Sequence, residues 1–157
     1  MIAIIVLSVV LFDILTKYLT IQLLIPAGGE VVVIPHLFNF CYVENTGAAF
    51  GILKDHRWVF MTLSVFLLVF VFMFLIKSGI KHKLFIFSAS LILGGGIGNM
   101  IDRVFLGYVI DFIKVTFIDF PVFNIADSAV VIGAILLAIY FLFFDKSFFV
   151  NKSVNEQ

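Results

Sequence analysis

Four runs of apolar residues, each close to the length that crosses a bilayer, constrain this chain more than any other feature. They occupy 2–25, 58–76, 84–101 and 127–144. A hydrocarbon core takes about 20 residues of helix, because there every backbone N–H and C=O must be satisfied within the segment. The third run is the shortest fit, closing on Gly94-Gly95-Gly96-Ile97-Gly98. Composition points the same way: 63% of the residues are hydrophobic, 13% are charged and 21 are Phe, for a mean hydropathy of +1.23. A soluble domain leaves roughly a third of its unfolded surface in water and has nowhere to hide so much apolar side chain. Disordered chains are polar or highly charged, which excludes that class. Ten basic residues balanced by ten acidic ones leave no surplus to neutralise phosphates, so no nucleic acid is expected as a partner. The expected fold is an all-α polytopic membrane protein with four transmembrane helices, a single domain over 1–157.

The N-terminus carries no basic residue before Asp13, so 2–25 reads as a retained span rather than a cleaved leader. Lys77, Lys81, His82 and Lys83 form a short cationic loop between the second and third runs, and Lys146 and Lys152 follow the fourth. Positive charge favours the cytoplasmic side, which places both termini there and turns the other two connections outward. Val31-Val32-Val33-Ile34, Phe38 to Val43, and Tyr108-Val109-Ile110-Asp111-Phe112-Ile113 are rich in β-branched and aromatic residues. These predict a small extracytoplasmic β-structured region.

Ionisable groups within a span are costly and usually face a bundle interior or a water-filled cavity. Asp13 and Lys17 stand one turn apart on a common helix face and are expected to form an ion pair. A second group gathers where the third and fourth spans meet the outer connection: Asn99, Asp102, Arg103, Asp111, Asn124, Asp127 and Ser128. Each has two readings. Asp127 is either a helix N-cap or an acid with chemistry to do; Asp111 is either an edge-strand residue facing water or its companion. Asn124 ends a loop or binds something, and Asp102 and Arg103 contact headgroups or line a site. Gly94 to Gly98 read as positions of close helix approach. A phosphate cradle is a poor reading, since the run ends a helix and no Lys-Ser/Thr follows.

Other chemistries fail on inspection. Cys41 is the sole cysteine and lies in a strand-like run, where a buried apolar role is expected. His36, His56 and His82 match no zinc-ligand spacing, there is no G-x-S-x-G elbow, and Ser128 has no histidine near it in sequence. No metal or cofactor is indicated. What remains is a pair of acids.

Five segments, taken in order, make the reading specific. They are Asp13-Ile14-Leu15-Thr16-Lys17, Asn45-Thr46-Gly47-Ala48-Ala49-Phe50-Gly51, Gly98-Asn99-Met100-Ile101-Asp102-Arg103, Val109-Ile110-Asp111-Phe112, and Phe123-Asn124-Ile125-Ala126-Asp127-Ser128. Together they resemble the lipoprotein signal peptidases of bacteria (signal peptidase II), across nearly the whole chain. The resemblance implies an aspartyl endopeptidase of the inner, cytoplasmic membrane. Its substrates would be diacylglyceryl-modified prolipoproteins, cut just before the lipid-modified Cys, and globomycin-type peptides would inhibit it. It also implies Asp111 and Asp127 as catalytic, and Asn45, Gly47, Asn99, Arg103 and Asn124 as substrate-binding. Asp13, Lys17 and Asp102 would give structural support. The site would open toward the outer face, in contact with membrane lipid, and the enzyme would work as a monomer.

Two carboxyl groups close together cannot both ionise. The ionised one takes a proton from water, which attacks the scissile carbonyl, while the protonated one donates to the carbonyl oxygen. Sequence leaves open which aspartate takes which part. From the residues alone a small membrane transporter with a proton pathway is the runner-up. Its acids should lie near the midplane of symmetric repeats, whereas these cluster at one face. A structural partner subunit is the third reading, and it leaves the outer asparagines without a purpose.

Overall fold

The computed structural model describes residues 1–47 and 57–145. Helix α1 runs Ile2–Leu24, strands β1 and β2 run Glu30–Ile34 and Phe38–Asn45, and helix α2 runs Arg57–Lys77. Helix α3 follows at Lys83–Phe105, strand β3 at Val109–Val115 and helix α4 at Ile125–Phe143. By length and composition α1, α3 and α4 are able to cross a membrane, and α2 carries a shorter apolar stretch, Met61–Lys77. The four expected runs are therefore all helical. Ala48 to Gly51 of the second motif, with His56, Lys146 and Lys152, lie outside the described residues.

Helix α3 is the centre of the molecule and packs against the other three helices. It corrects the expected third span at its far end, continuing through the glycine run to Phe105. The run does not break the helix because its backbone bonds are made internally while the missing side chains admit neighbours. A β-carbon on Gly95 would overlap the carbonyl oxygen of Ala126 on α4. One on Gly98 would sit 2.7 Å from Asp13 Oδ2 on α1. The extension also places Asp102 and Arg103 on the helix itself.

Helix α1 presents one stripe to the protein, Val10, Asp13, Lys17, Thr20 and Leu24, at the three-and-four spacing of a single helix face. Leu11, Leu15, Tyr18 and Leu23 on its remaining surface are exposed, as suits contact with acyl chains. The apolar core, Val71, Leu75, Phe85, Ala89, Ile92, Leu93 and Tyr140, joins α2, α3 and α4 near the start of α3. The buried polar residues Asp13, Lys17, Asn99, Asp102, Asp111 and Asn124 collect at the opposite end of α3.

There the three strands form an antiparallel sheet in the order β1-β2-β3, as the aromatic and β-branched runs predict. Register puts Val43 opposite Asp111 and Asn45 opposite Val109. Asn45 and Asp111 are thus diagonal neighbours on one face, within reach of each other. Beyond β3, Phe123 pairs back onto it: its carbonyl accepts from Ile113 N–H at 2.8 Å and its N–H donates to Ile113 C=O at 3.1 Å. That return delivers Asn124 beside Asp111 immediately before α4 begins.

Candidate active site

The start of α4 sets the geometry. Asn124 is its N-cap and Asp127 the third helical residue, each side chain accepting from the other's backbone N–H, at 2.8 Å and 3.1 Å. This reciprocal box satisfies two otherwise unpaired donors of the first turn. The N-cap is therefore Asn124 and not Asp127, which corrects both the N-cap reading of Asp127 and the loop-ending reading of Asn124. Ser128 Oγ donates to the Asn124 carbonyl at 2.9 Å. The next free N–H of the turn, on Ala126, donates to Asp13 Oδ1 of α1 at 3.0 Å.

Lys17 anchors the polar cluster from α1. Its ammonium lies 2.7 Å from Asp13 Oδ2 and 2.8 Å from Asp102 Oδ2, and it donates to Asn99 Oδ1 at 3.1 Å. Two carboxylate oxygens and one amide oxygen thus surround the ammonium. Asp102 also accepts from Ile110 N–H at 3.1 Å, tying the end of α3 to the start of β3. The headgroup reading of Asp102 does not hold, and its supporting role is the one seen: it is buried and paired with Lys17. The sequence signals only Asp13 as a partner, since Asp102 lies far away along the chain.

Asp111 is 1% exposed although β3 is an edge strand, because Phe123 and Asn124 cover it; the water-facing reading does not hold. Its Oδ1 accepts from Asn124 Nδ2 at 2.7 Å and its Oδ2 from Asn45 Nδ2 at 2.8 Å. Asn45 is held in turn by the Gly47 N–H, which donates to its Oδ1 at 3.0 Å. Asp127 Oδ1 accepts from Asn99 Nδ2 at 2.7 Å. All four carboxylate oxygens of Asp111 and Asp127 thus accept one hydrogen bond from an N–H group. Burial, then the neighbouring Asp127 charge, push Asp111 from the ordinary 3.8 up to about 7, against the hydrogen bonds from Asn45 and Asn124 and the charge of Lys17.

Both aspartates line one cavity of about 610 Å³, with Asn45, Gly47, Arg103 and Ser128 as its other polar residues. Phe120, Pro121, Val122, Phe123, Val131 and Ile132 make its walls apolar. In the sequence this wall has one signal, the apolar run 120–123 leading into Asn124. A second hollow of about 270 Å³ lies among α2, α3 and α4 and reaches Asn99, Arg103 and Asp127 past Leu68, Gly96 and Val130. Arg103 Nη1 donates to the Asn99 carbonyl at 3.3 Å. Asn124 is wholly buried and, like Asn99, does not line the larger cavity.

Cys41 is buried on β2 and its thiol is pushed up by burial, which disfavours the nucleophilic thiolate. Among the described residues no group of three or more His, Cys, Asp or Glu is placed to hold a metal ion. The chemistry this arrangement supports is proton transfer between two constrained carboxyl groups and whatever occupies the cavity.

Comparison with known proteins agrees with the ordered motifs. Residues 5–143 match the family described as Signal peptidase (SPase) II. The lipoprotein signal peptidase of Caldanaerobacter subterraneus subsp. tengcongensis is 45% identical over 141 residues, 89% of this chain and 94% of that protein. That of Clostridium tetani is 42% identical over 144 residues, covering 90% and 91%. A bacterial membrane enzyme solved by the in meso method superposes with a TM-score of 0.81 at 38% identity, over 90% of this chain and 87% of that one. A second, at 38% identity, gives 0.78 over 92% and 94%. With a family match over most of its length and relatives of this identity, the chain belongs to the signal peptidase II family.

Proposed function

We propose that this chain is an aspartyl endopeptidase that removes the signal peptide from diacylglyceryl-modified prolipoproteins, with Asp111 and Asp127 as the catalytic pair. One observation carries the aspartyl assignment: two carboxyl groups, Asp111 buried and Asp127 half-buried, with every oxygen held by an N–H donor, face a single apolar-walled cavity. Water bound between them is deprotonated by the ionised carboxylate and attacks the scissile carbonyl. The protonated partner donates to the carbonyl oxygen, and collapse of the resulting diol releases the amine of the lipid-modified Cys. Arg103, Asn45 and the Gly47 backbone, which line the cavity, bind peptide carbonyls and amides.

Helix α2 acts as the fourth span. The cationic loop between α2 and α3 lies at the other end of α3 from the aspartates, which supports cytoplasmic termini and a site at the outer face. Hydrolytic water then arrives from outside while the substrate's acyl chains stay in the bilayer. The hollow among α2, α3 and α4 suits the apolar signal helix, and globomycin-type peptides would compete at the same cavity. One membrane-embedded domain working as a monomer is sufficient for all of this.

The test is a gel-shift assay in detergent micelles with a diacylglyceryl-modified prolipoprotein. Wild type is expected to cleave, with or without a chelator, and Asp111→Asn and Asp127→Asn are expected not to. Full activity in either variant removes the aspartyl mechanism; loss of wild-type activity on chelation replaces it with a metal-dependent one.

A further inference from the structure

The two buried asparagines are placed to act on the carboxyl pair and not on a peptide. Asn99 Oδ1 faces two donors, Lys17 Nζ at 3.1 Å and Asn124 Nδ2 at 3.0 Å. An ammonium cannot accept a hydrogen bond, so this end of the Asn99 amide must be its oxygen. Its nitrogen is thereby turned to Asp127 Oδ1. Asn124 is oriented in the same way: its Oδ1 faces the Asp127 backbone N–H, another group that only donates. Its Nδ2 is left to Asp111 Oδ1, the Ile110 carbonyl at 3.3 Å and Asn99 Oδ1. Reversing either amide would set donor against donor inside the protein.

These fixed amides treat the two carboxylates unequally. The donors to Asp111 are two neutral side-chain amides, from Asn45 and Asn124. Asp127 receives the backbone N–H of Asn124, at the N-terminus of α4 where the helix dipole favours an anion. It also receives the Asn99 amide, whose oxygen is polarised by the Lys17 cation; such chains of hydrogen bonds strengthen one another. Arg103 lines both hollows together with Asp127 but shares only the larger one with Asp111. Among the described residues, the other charges near the pair, Asp13 and Asp102, are each bound to Lys17. We propose that Asn99, oriented by Lys17, and Asn124 are positioning residues that place the shared proton on Asp111 and leave Asp127 ionised, and that neither grips substrate.

This rests on the peptidase reading and assigns its two roles. Asp127 takes the proton of the attacking water while Asp111 gives its own to the carbonyl oxygen, forming a diol. Asp127 then passes its proton to the leaving nitrogen as the C–N bond breaks, and Asp111 recovers one from a diol hydroxyl. Protons balance, and the pair returns to its starting state.

The experiment is nuclear magnetic resonance of the full chain in micelles, labelled with ¹³C at the aspartate carboxyl carbons and assigned with Asp111→Asn and Asp127→Asn. At about pH 6, the Asp111 carbon is expected to resonate as a carboxylic acid and the Asp127 carbon as a carboxylate. In Asn99→Leu, which leaves Lys17 its two carboxylate partners, the Asp111 titration should move down by about one unit or more. Cleavage by that variant should lose about tenfold or more in kcat with KM within about twofold. A proton found on Asp127 in the wild type overturns the proposal, as does a raised KM in Asn99→Leu with the Asp111 titration unmoved. Should Asn99→Leu fail to fold, the wild-type resonances decide alone. A protein that cleaves nothing yet shows these resonances overturns the peptidase reading and supports the proton placement.

Discussion

Asn124 Nδ2 lies 2.7 Å from Asp111 Oδ1 while Asn124 also caps the helix that carries Asp127. A single buried side chain thus sets the position of one acid directly and of the other through the first turn of α4. The aspartates come from a strand and a helix that need not otherwise hold a fixed distance. Coupling them through one residue makes the geometry of the pair depend on folding of the whole polar end of the molecule and not on either element alone.

The pair itself is the first thing to remove. Asp111→Asn keeps the side chain's shape but turns an N–H toward Asn45 or Asn124, costing one hydrogen bond. Asp127→Asn does the same toward Asn99 or the Asn124 backbone. Both should insert and fold, with cleavage reduced by about 10³-fold or more. Single-turnover cleavage beside thermal unfolding in the same detergent checks this.

The raised titration of Asp111 gives a pH dependence with a definite sign. On the proposed mechanism the pair works with one proton, and burial with the Asp127 charge pushes the Asp111 carboxyl up to about 7. The rate constant kcat/KM should therefore fall about tenfold for each pH unit above that value. Stability has its own sign. Between 3.8 and about 7 the folded protein keeps a proton that the unfolded chain has released. Folding thus loses free energy as pH rises through that window. Asp111→Asn lacks this loss, so its melting temperature should gain on that of the wild type from pH 4 to pH 7.

Asp13 should behave differently from the pair. It bonds Lys17 and the Ala126 N–H but does not line the cavity. Asp13→Asn leaves Lys17 with a single carboxylate and weakens the tie between α1 and α4. Breaking a buried pair by removing one partner costs about 3–5 kcal/mol. The expected outcome is a lower melting temperature and yield, with kcat changed less than in either aspartate of the pair; unfolding and cleavage measured on the same preparation separate the two effects.

What the sequence shows and what it hides follow from the range of the forces involved. Spans are legible because hydrophobic length is a local property, and β1, β2 and β3 because β-branched and aromatic clusters are local too. Asp13 and Lys17 are legible as a pair because one helical turn separates them. The third partner, Asp102, is 85 residues from Lys17 along the chain (102 − 17), and nothing local connects them. Asn124 reads as a loop end because a cap and a loop end share the same composition; only the return of Phe123 onto β3 shows that it sits against Asp111. The apolar cavity wall escapes notice because Phe and Val are everywhere in this chain.

The glycines of α3 divide by what they face, which yields a paired prediction. A β-carbon on Gly95 would collide with the Ala126 carbonyl and lie 2.9 Å from Val130 Cγ2. Backbone at the start of α4 cannot retreat without moving Asp127. A β-carbon on Gly96 would meet only the side chain of Leu68, at 2.7 Å from Cδ2, and that terminal methyl can swing aside. Gly95→Ala should therefore lose about 1–3 kcal/mol and a large part of the activity. Gly96→Ala should be close to neutral, its added crowding offset by the roughly 1 kcal/mol helix preference of Ala over Gly. Thermal unfolding and cleavage of the two variants side by side test this; equal losses would mean that α3 and α4 shift freely against each other and that the glycines do not position the site.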